Sequence, residues 1–222
     1  MHLLRRDYKF FINHKKIYRL CLENNLLLPK NKKKLKFNKK ISENRNIMAP
    51  NKLWQFDIKC GYIQGENKHF YLLGIIDIFN KKVIAHHVGY NCKALDLKLT
   101  FYEAIKLLTP NLDQLVIRSD NGPQMTSNQF NDYVTSIGLD HEFIPVRNPN
   151  KNAFIESFFS IYETQFLQVR YFRSLKDAYI ETDEFINFYN NERLHGSLGY
   201  IPPNEFDKNF NLGLVKNALI RC

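Results

Sequence analysis

Residues 147–163 read R-N-P-N-K-N-A-F-I-E-S-F-F-S-I-Y-E, and this stretch sets the frame for the rest of the chain. Pro149 biases the residue before it away from helical geometry, so the stretch opens as a Pro/Asn loop. Beyond the loop Ala153, Phe154, Phe158 and Ile161 recur at three- and four-residue spacing, which predicts a helix from near Asn150 to about Val169. Glu156 falls early in that helix, four residues after Asn152, so the two side chains share one face while the phenylalanines turn elsewhere. A carboxylate held there needs a partner. Asp57 and Asp120 are the acids whose strand positions suit that role.

The chain has 222 residues, enough for one well-buried domain and an appendage, and its 44% hydrophobic and 14% aromatic content excludes a disordered chain. The formal charge is +10, and residues 1–50 hold fourteen Lys or Arg against three Asp or Glu. Essentially all of the excess charge therefore belongs to the first fifty residues. Such polarity suits a chain that meets a polyanion, most often nucleic acid; the bland alternative is a solubilising arm. Cys21, Cys60, Cys92 and Cys222 form no C-x-x-C pair, so they read as reduced thiols of a cytoplasmic protein, here a bacterial, nucleoid-associated one. Arg5, Arg6 and Asp7 stand where a signal peptide would be apolar, and the apolar run 70–76 is too short to span a bilayer, so no membrane partner is expected.

In chain order, residues 10–28 place Ile17, Leu20, Cys21 and Leu28 near one helical stripe, with Asn13 as N-cap and Asn24-Asn25 as the stop. That helix reads equally as part of a helix-turn-helix or as a helix docked on the main domain. Lys30 to Lys40 follows with seven lysines in eleven residues, an extended linker suited to phosphate. Strands are predicted over 53–59, 70–79 and 83–89, then a helix over 94–108, a strand over 114–118, a helix over 127–137, a strand over 139–143, the helix already described, and a last helix over 175–191. This order gives an α/β fold: a mixed five-stranded sheet, three strands antiparallel and two parallel, with helices on both faces. The expected divisions are a partial helical DNA-binding segment at 1–29, a basic linker at 30–50, a core at 51–208 and a tail at 209–222.

Asp57 lies inside the first strand and Asp120 just past the fourth, in S-D-N-G-P-Q, where Asn121-Gly122-Pro123 turns the chain tightly. Ligands of such sheets bind outside strand ends, and Glu156 approaches from its helix. Three converging carboxylates raise one another's pKa values unless a cation offsets them, and hard oxygen donors suit Mg²⁺ or Mn²⁺. Two such ions serve in-line displacement at phosphorus. The bland reading of each aspartate is a turn or cap residue, and Asp77, just before a turn, is read as structural.

W-Q-F-D around Asp57, R-S-D-N-G-P-Q-M-T-S around Asp120 and P-N-K-N-A-F-I-E-S-F-F around Glu156 resemble the DDE integrase-core transposases of bacterial insertion sequences, relatives of retroviral integrase. The 35 residues between Asp120 and Glu156 fit that group. I-N-H-K-K-I-Y-R-L and F-Y-N-N-E-R-L-H-G-S-L-G-Y-I-P-P-N-E-F are similar to flanking segments of the second-frame protein of family-three insertion sequences. The resemblance implies an RNase H-like fold, with Asp57, Asp120 and Glu156 as catalytic residues and ligands of two Mg²⁺ or Mn²⁺ ions. It implies cleavage of element ends to free 3′-hydroxyls and transfer of those hydroxyls into target DNA. Asn152, matching the family's N-A-x-x-E-S, and Lys151 are expected at the DNA, together with Lys32, Lys33, Lys34, Lys36, Lys39 and Lys40 of the basic linker. Terminal-repeat and target DNA, other copies of the chain, and an upstream-frame DNA-binding protein are the partners implied.

The family pattern has a basic residue seven positions past the glutamate, where this chain has Glu163, an acid that repels phosphate. The chain is also expected to begin partway into the family's upstream helical region. These departures define the alternative reading, a catalytically impaired DNA-binding remnant; a simple RNase H-type nuclease is a third.

Overall fold

A computed structural model of the chain describes residues 2–27, 45–144, 149–215 and 219–221. The lysines at 32, 33, 34, 36, 39 and 40 lie outside the described residues. Two short helices come first, α1 (His2–Tyr8) and α2 (His14–Glu23), and neither buries a residue. Asn13 caps α2 as expected, its side-chain oxygen accepting from the Lys15 N–H at 2.9 Å. The helical character expected of residues 1–29 is thus present, although α1, at seven residues, is too short for hydrophobic periodicity to give its bounds.

The two-residue strand β1 (Asn46–Ile47) precedes the main sheet, which contains β2 (Leu53–Ile63), β3 (Lys68–Asp77), β4 (Val83–Gly89), β5 (Val116–Ser119) and β6 (Asp140–Phe143). Spatial order is β4-β3-β2-β5-β6, antiparallel among the first three and parallel from β2 to β6. The mixed sheet is thus the one expected. β2 runs four residues past its expected end because Cys60 to Ile63 pair with Lys68 to Tyr71 across a hairpin. Gly61 permits that pairing: a Cβ there would lie 2.3 Å from the Phe70 ring.

Helices cover both faces. On one, α3 (Ala94–Leu108) and α4 (Asn128–Ser136) bury Leu97, Phe101, Phe130 and Val134 against Trp54, Phe56, Leu73 and Ile75. On the other, α5 (Ala153–Gln165) and α6 (Leu175–Asn191) bury Ile155, Phe158, Phe159, Tyr162, Phe185 and Tyr189 against Phe70, Leu72 and Ile76. The alternation of the strands explains the split, since Trp54 and Phe56 point one way while Gln55 and Asp57 point the other. A third cluster joins Ile47, Leu53, Phe79 and Val116 to Leu198 and Phe206 of the C-terminal segment, whose helix α7 (Pro203–Asn211) was not anticipated. A last strand, β7 (Ile220–Arg221), pairs antiparallel with β1.

α5 is shorter than the spacing predicts. A 3-10 turn at Pro149–Asn152 precedes it, and it stops at Gln165 instead of reaching Val169. Phe166 leaves helical geometry, at φ −130° and ψ −66°, to bury its ring among Tyr162 and Phe185, each with centroids 5.0 Å away. Asp77 is structural, as read: its carboxylate accepts from the Asn51 N–H at 2.6 Å and the Phe79 N–H at 2.8 Å. No helix among the described residues is long and apolar enough to cross a membrane.

Candidate active site

β2 and β5 are parallel neighbours at the point where the strand order reverses direction, the place where open α/β sheets leave a crevice. Their register pairs Gln55 with Arg118; continued by two places, it sets Asp57 across from Asp120. The end of β5 is tightly shaped around Asp120. Its Oδ1 accepts from the Gly122 N–H at 2.9 Å, and the Asn121 amide donates to the Ile144 carbonyl at 2.6 Å. A Cβ on Gly122 would stand 3.1 Å from that same Oδ1, so a bare backbone keeps the carboxylate accessible. Arg118, next to the site but buried, donates from Nη2 to Glu142 on β6 at 2.9 Å, and Arg45 reaches the same carboxylate with its Nε at 2.7 Å. The two guanidinium groups hold Glu142 below the usual carboxylate range against its partial burial. That ion cluster pins β6 to β5. His141, hydrogen-bonded to the Ser119 hydroxyl at 2.9 Å, is pushed down to about 4 by burial and is neutral at physiological pH.

The third acid arrives on α5, and Gln55 fixes how. Its fully buried side chain accepts from the N–H groups of Phe154 and Ile155, at 3.1 and 3.2 Å, and donates to the Lys151 carbonyl at 2.7 Å. Asn152, at the N-cap position, makes no capping bond of its own, so a strand side chain does the capping. Gly74, the β3 partner of Asp57, lies under the same helix: a Cβ there would touch Ile155, Phe158 and Phe159 at 3.4 to 3.5 Å. Helix and sheet therefore approach closely beside Asp57, and Glu156 sits exposed on the first turn of α5.

Asp57 is pushed up to about 6. Burial is the main cause, opposed by the Ile58 N–H, which donates to Oδ1 at 2.7 Å, and reinforced by the charges of Asp120 and Glu156; Lys59 acts the other way. The fold thus brings Asp120 and Glu156 each within electrostatic reach of Asp57. Among the described residues, however, no group of three or more His, Cys, Asp or Glu side chains is arranged to hold a metal ion as it stands. Asp120 and Glu156 are exposed and end in rotatable bonds. The donor set fits a hard divalent cation: carboxylate oxygens, and a raised acid whose charge a cation would relieve. On the turn before α5 the Asn152 side-chain oxygen is buried at 3% exposure and has no hydrogen-bond partner among the described residues.

Two residues of this region escaped the sequence reading. Gln55 carried a signal, a polar residue two places before Asp57 in an otherwise apolar strand; which groups it would serve did not show in the sequence. Lys59, two places beyond Asp57, pairs with Glu163 at 2.8 Å. Glu163, expected as an acid facing incoming phosphate, thus has a cation beside it. Lys151, on the turn before α5, contributes its carbonyl to Gln55.

Fold and sheet order define an RNase H-like α/β domain with an acidic group at its switch point. Two models, each described as an integrase core domain, match overlapping parts of the chain, residues 48–149 and residues 137–203. The chain belongs to the integrase core domain family. A 39.2 kDa uncharacterised protein of insertion element IS476 from Xanthomonas euvesicatoria is 30% identical over 98% of this chain and 61% of its own length. The transposase for insertion sequence element IS904 of Lactococcus lactis is 27% identical over 72% of this chain and 62% of its own. The chain thus spans about three fifths of the length of these two relatives. The HTLV-2 integrase catalytic core domain, solved in complex with magnesium in a trimeric form, superposes with a TM-score of 0.50 at 20% identity, over 72% of this chain and 98% of that one. That likeness is one of fold.

Proposed function

We propose that this chain is the catalytic part of an insertion-sequence transposase that cleaves DNA at element ends and joins the freed 3′-hydroxyls to target DNA. The observation that carries the reading is the electrostatic convergence of Asp120 and Glu156 on the half-buried Asp57, from two adjoining parallel strands and a helix docked over them. Asp57, Asp120 and Glu156 are the residues that would hold Mg²⁺ or Mn²⁺. Two such ions, when bound, supply charge stabilisation to the attacking and leaving oxygens of an in-line displacement at phosphorus.

The protein's own groups orient the reaction. Gln55 keeps the first turn of α5 against β2, so that Glu156 stays opposite Asp57. Asn152, one turn before Glu156, orients the site or contacts the DNA. In the first step water attacks phosphorus and the bond to the 3′-oxygen breaks, which frees a 3′-hydroxyl; in the second that hydroxyl attacks a target phosphorus and displaces the target 3′-oxygen. No covalent enzyme intermediate is needed. The DNA itself is held by the basic segment containing Lys32, Lys33, Lys34, Lys36, Lys39 and Lys40, by Lys151, and by a second copy of the chain assembled on the element ends. An upstream-frame protein completes recognition of those ends, and the reaction belongs in the bacterial cytoplasm.

The alternative, a catalytically impaired DNA-binding remnant, draws on Glu163 standing where the family has a basic residue; the Lys59 ammonium 2.8 Å from that carboxylate supports the catalytic reading by offsetting its charge. A strand-transfer assay with the element's own terminal DNA and Mn²⁺ tests the proposal. Asp120→Asn is expected to abolish joining while leaving the fold intact, and undiminished joining by that variant refutes the triad.

A further inference from the structure

Gln55, Asp57 and Lys59 occupy alternate positions of β2 and so share the face that α5 covers. Each meets a successive point of the helix. Gln55 bonds the first-turn amides, Asp57 feels Glu156, and the Lys59 ammonium lies 2.8 Å from the Glu163 carboxylate. Lys59 is therefore about 6.6 Å along the strand from Asp57, on the same face. Both members of the pair remain about one third exposed, with side-chain exposures of 31% and 35%. A surface hollow of about 240 Å³ opens beside Glu163, bordered by Tyr62, Gln64 and His69 on its polar side and by Leu167 and Phe172 on its apolar side, so the Glu163 end of the pair stands at the rim of a recess of mixed character.

A backbone that presents its reacting phosphate to three carboxylates meets repulsion at the next phosphate unless a cation is waiting there. From this arrangement we propose that Lys59 is the residue that receives the DNA phosphate adjoining the one at Asp57, and that Glu163 is the resident anion this phosphate displaces. The proposal rests on the DNA reading above, although its test measures binding and not joining. A pair this exposed is weak enough to exchange. Surface ion pairs contribute little because water and salt screen them, whereas a phosphate contact also releases condensed counterions. Glu163 thus serves as a placeholder: it holds the lysine at the rim of the site, and gives it up when DNA arrives.

The experiment is fluorescence anisotropy of a labelled mixed-sequence duplex titrated with the full chain across a salt series. Ca²⁺ replaces Mg²⁺, since its looser coordination holds the site without favouring the reaction. Lys59→Gln is expected to lower the slope of log affinity against log salt by about 0.9, so that its penalty shrinks about 3.5-fold between 50 and 200 mM salt. Lys59→Arg should keep the wild-type slope, which separates a phosphate contact from a general loss of folding. Glu163→Gln is expected to tighten binding about 2- to 5-fold, the reverse of what a structural lock between β2 and α5 would give. That gain should vanish in the Lys59→Gln background. A wild-type slope for Lys59→Gln, or a Glu163→Gln gain that persists without Lys59, overturns the inference. A chain that joins strands while its DNA affinity ignores Lys59 overturns it as well and leaves the proposed activity standing; Lys59-dependent binding without any joining does the opposite.

Discussion

Replacing Gln55 with leucine removes the side chain that docks α5 on β2 while keeping its bulk. Three backbone groups lose their partner: the Phe154 and Ile155 amides and the Lys151 carbonyl, bonded at 3.1, 3.2 and 2.7 Å. A buried polar group left unsatisfied costs about 1 to 3 kcal/mol. The N-terminal turn of α5 lies near the surface, so water can reach part of the vacated region, and a total of about 3 kcal/mol is expected. For a chain of this size that is a fall in Tm of about 6 to 12 °C, measurable by circular dichroism. The functional consequence should exceed the loss of stability, because Glu156 is one residue beyond the second of those amides. In a strand-transfer assay at a temperature where both proteins are fully folded, Gln55→Leu should lose most of its rate. Its Mn²⁺ affinity, read by calorimetry, should fall in parallel. A variant that melts and joins DNA like the wild type would refute the role given to Gln55, and lower stability with unchanged activity would reduce it to a structural cap.

The raised Asp57 carboxyl gives a second prediction. An acid at about 6 in the folded chain and 3.8 unfolded binds a proton on folding between those values, so stability declines as pH rises through that window. In metal-free protein at pH 7, Asp57→Asn should therefore be stabilising, by up to about 3 kcal/mol and less where solvent screens the charge. Urea denaturation at several pH values checks it, and a destabilised Asp57→Asn at pH 7 counts against the burial of this group. Asp77, also pushed up to about 6 by burial, keeps part of the pH dependence in that variant. Mn²⁺ should stabilise the wild type and have a much smaller effect on Asp57→Asn, as thermal melts with and without the ion will show. Finally, Gly74→Leu should cost about 1 to 3 kcal/mol by lifting α5 from β3, whereas Gly74→Ala is nearly accommodated at the 3.4 Å contact with Ile155; equal melting temperatures for the two would contradict this packing.

The amino-acid order by itself determined the element types and their succession. α3, with Leu97, Phe101 and Ala104 at helical spacing, and α6 begin and end where periodicity and punctuation place them. The antiparallel first three strands and the two-sided helical cover follow from the same local patterns, as does the structural role of Asp77. Those signals are legible because each depends on residues a few places apart. The candidate acids were also legible, through motif resemblance more than through any local chemistry.

Tertiary structure decided the rest, and in each case through groups far apart along the chain. Phe166 ends α5 because its ring finds Tyr162 and Phe185, a gain no helical pattern encodes. Gln55 caps a helix about a hundred residues away. Glu163, which looked like an acid turned against phosphate, stands beside Lys59 on β2. Sequence fixes which charges the chain carries; the crossing of α5 over β2 determines which of them meet, because electrostatic energy depends on distance through space and not along the chain.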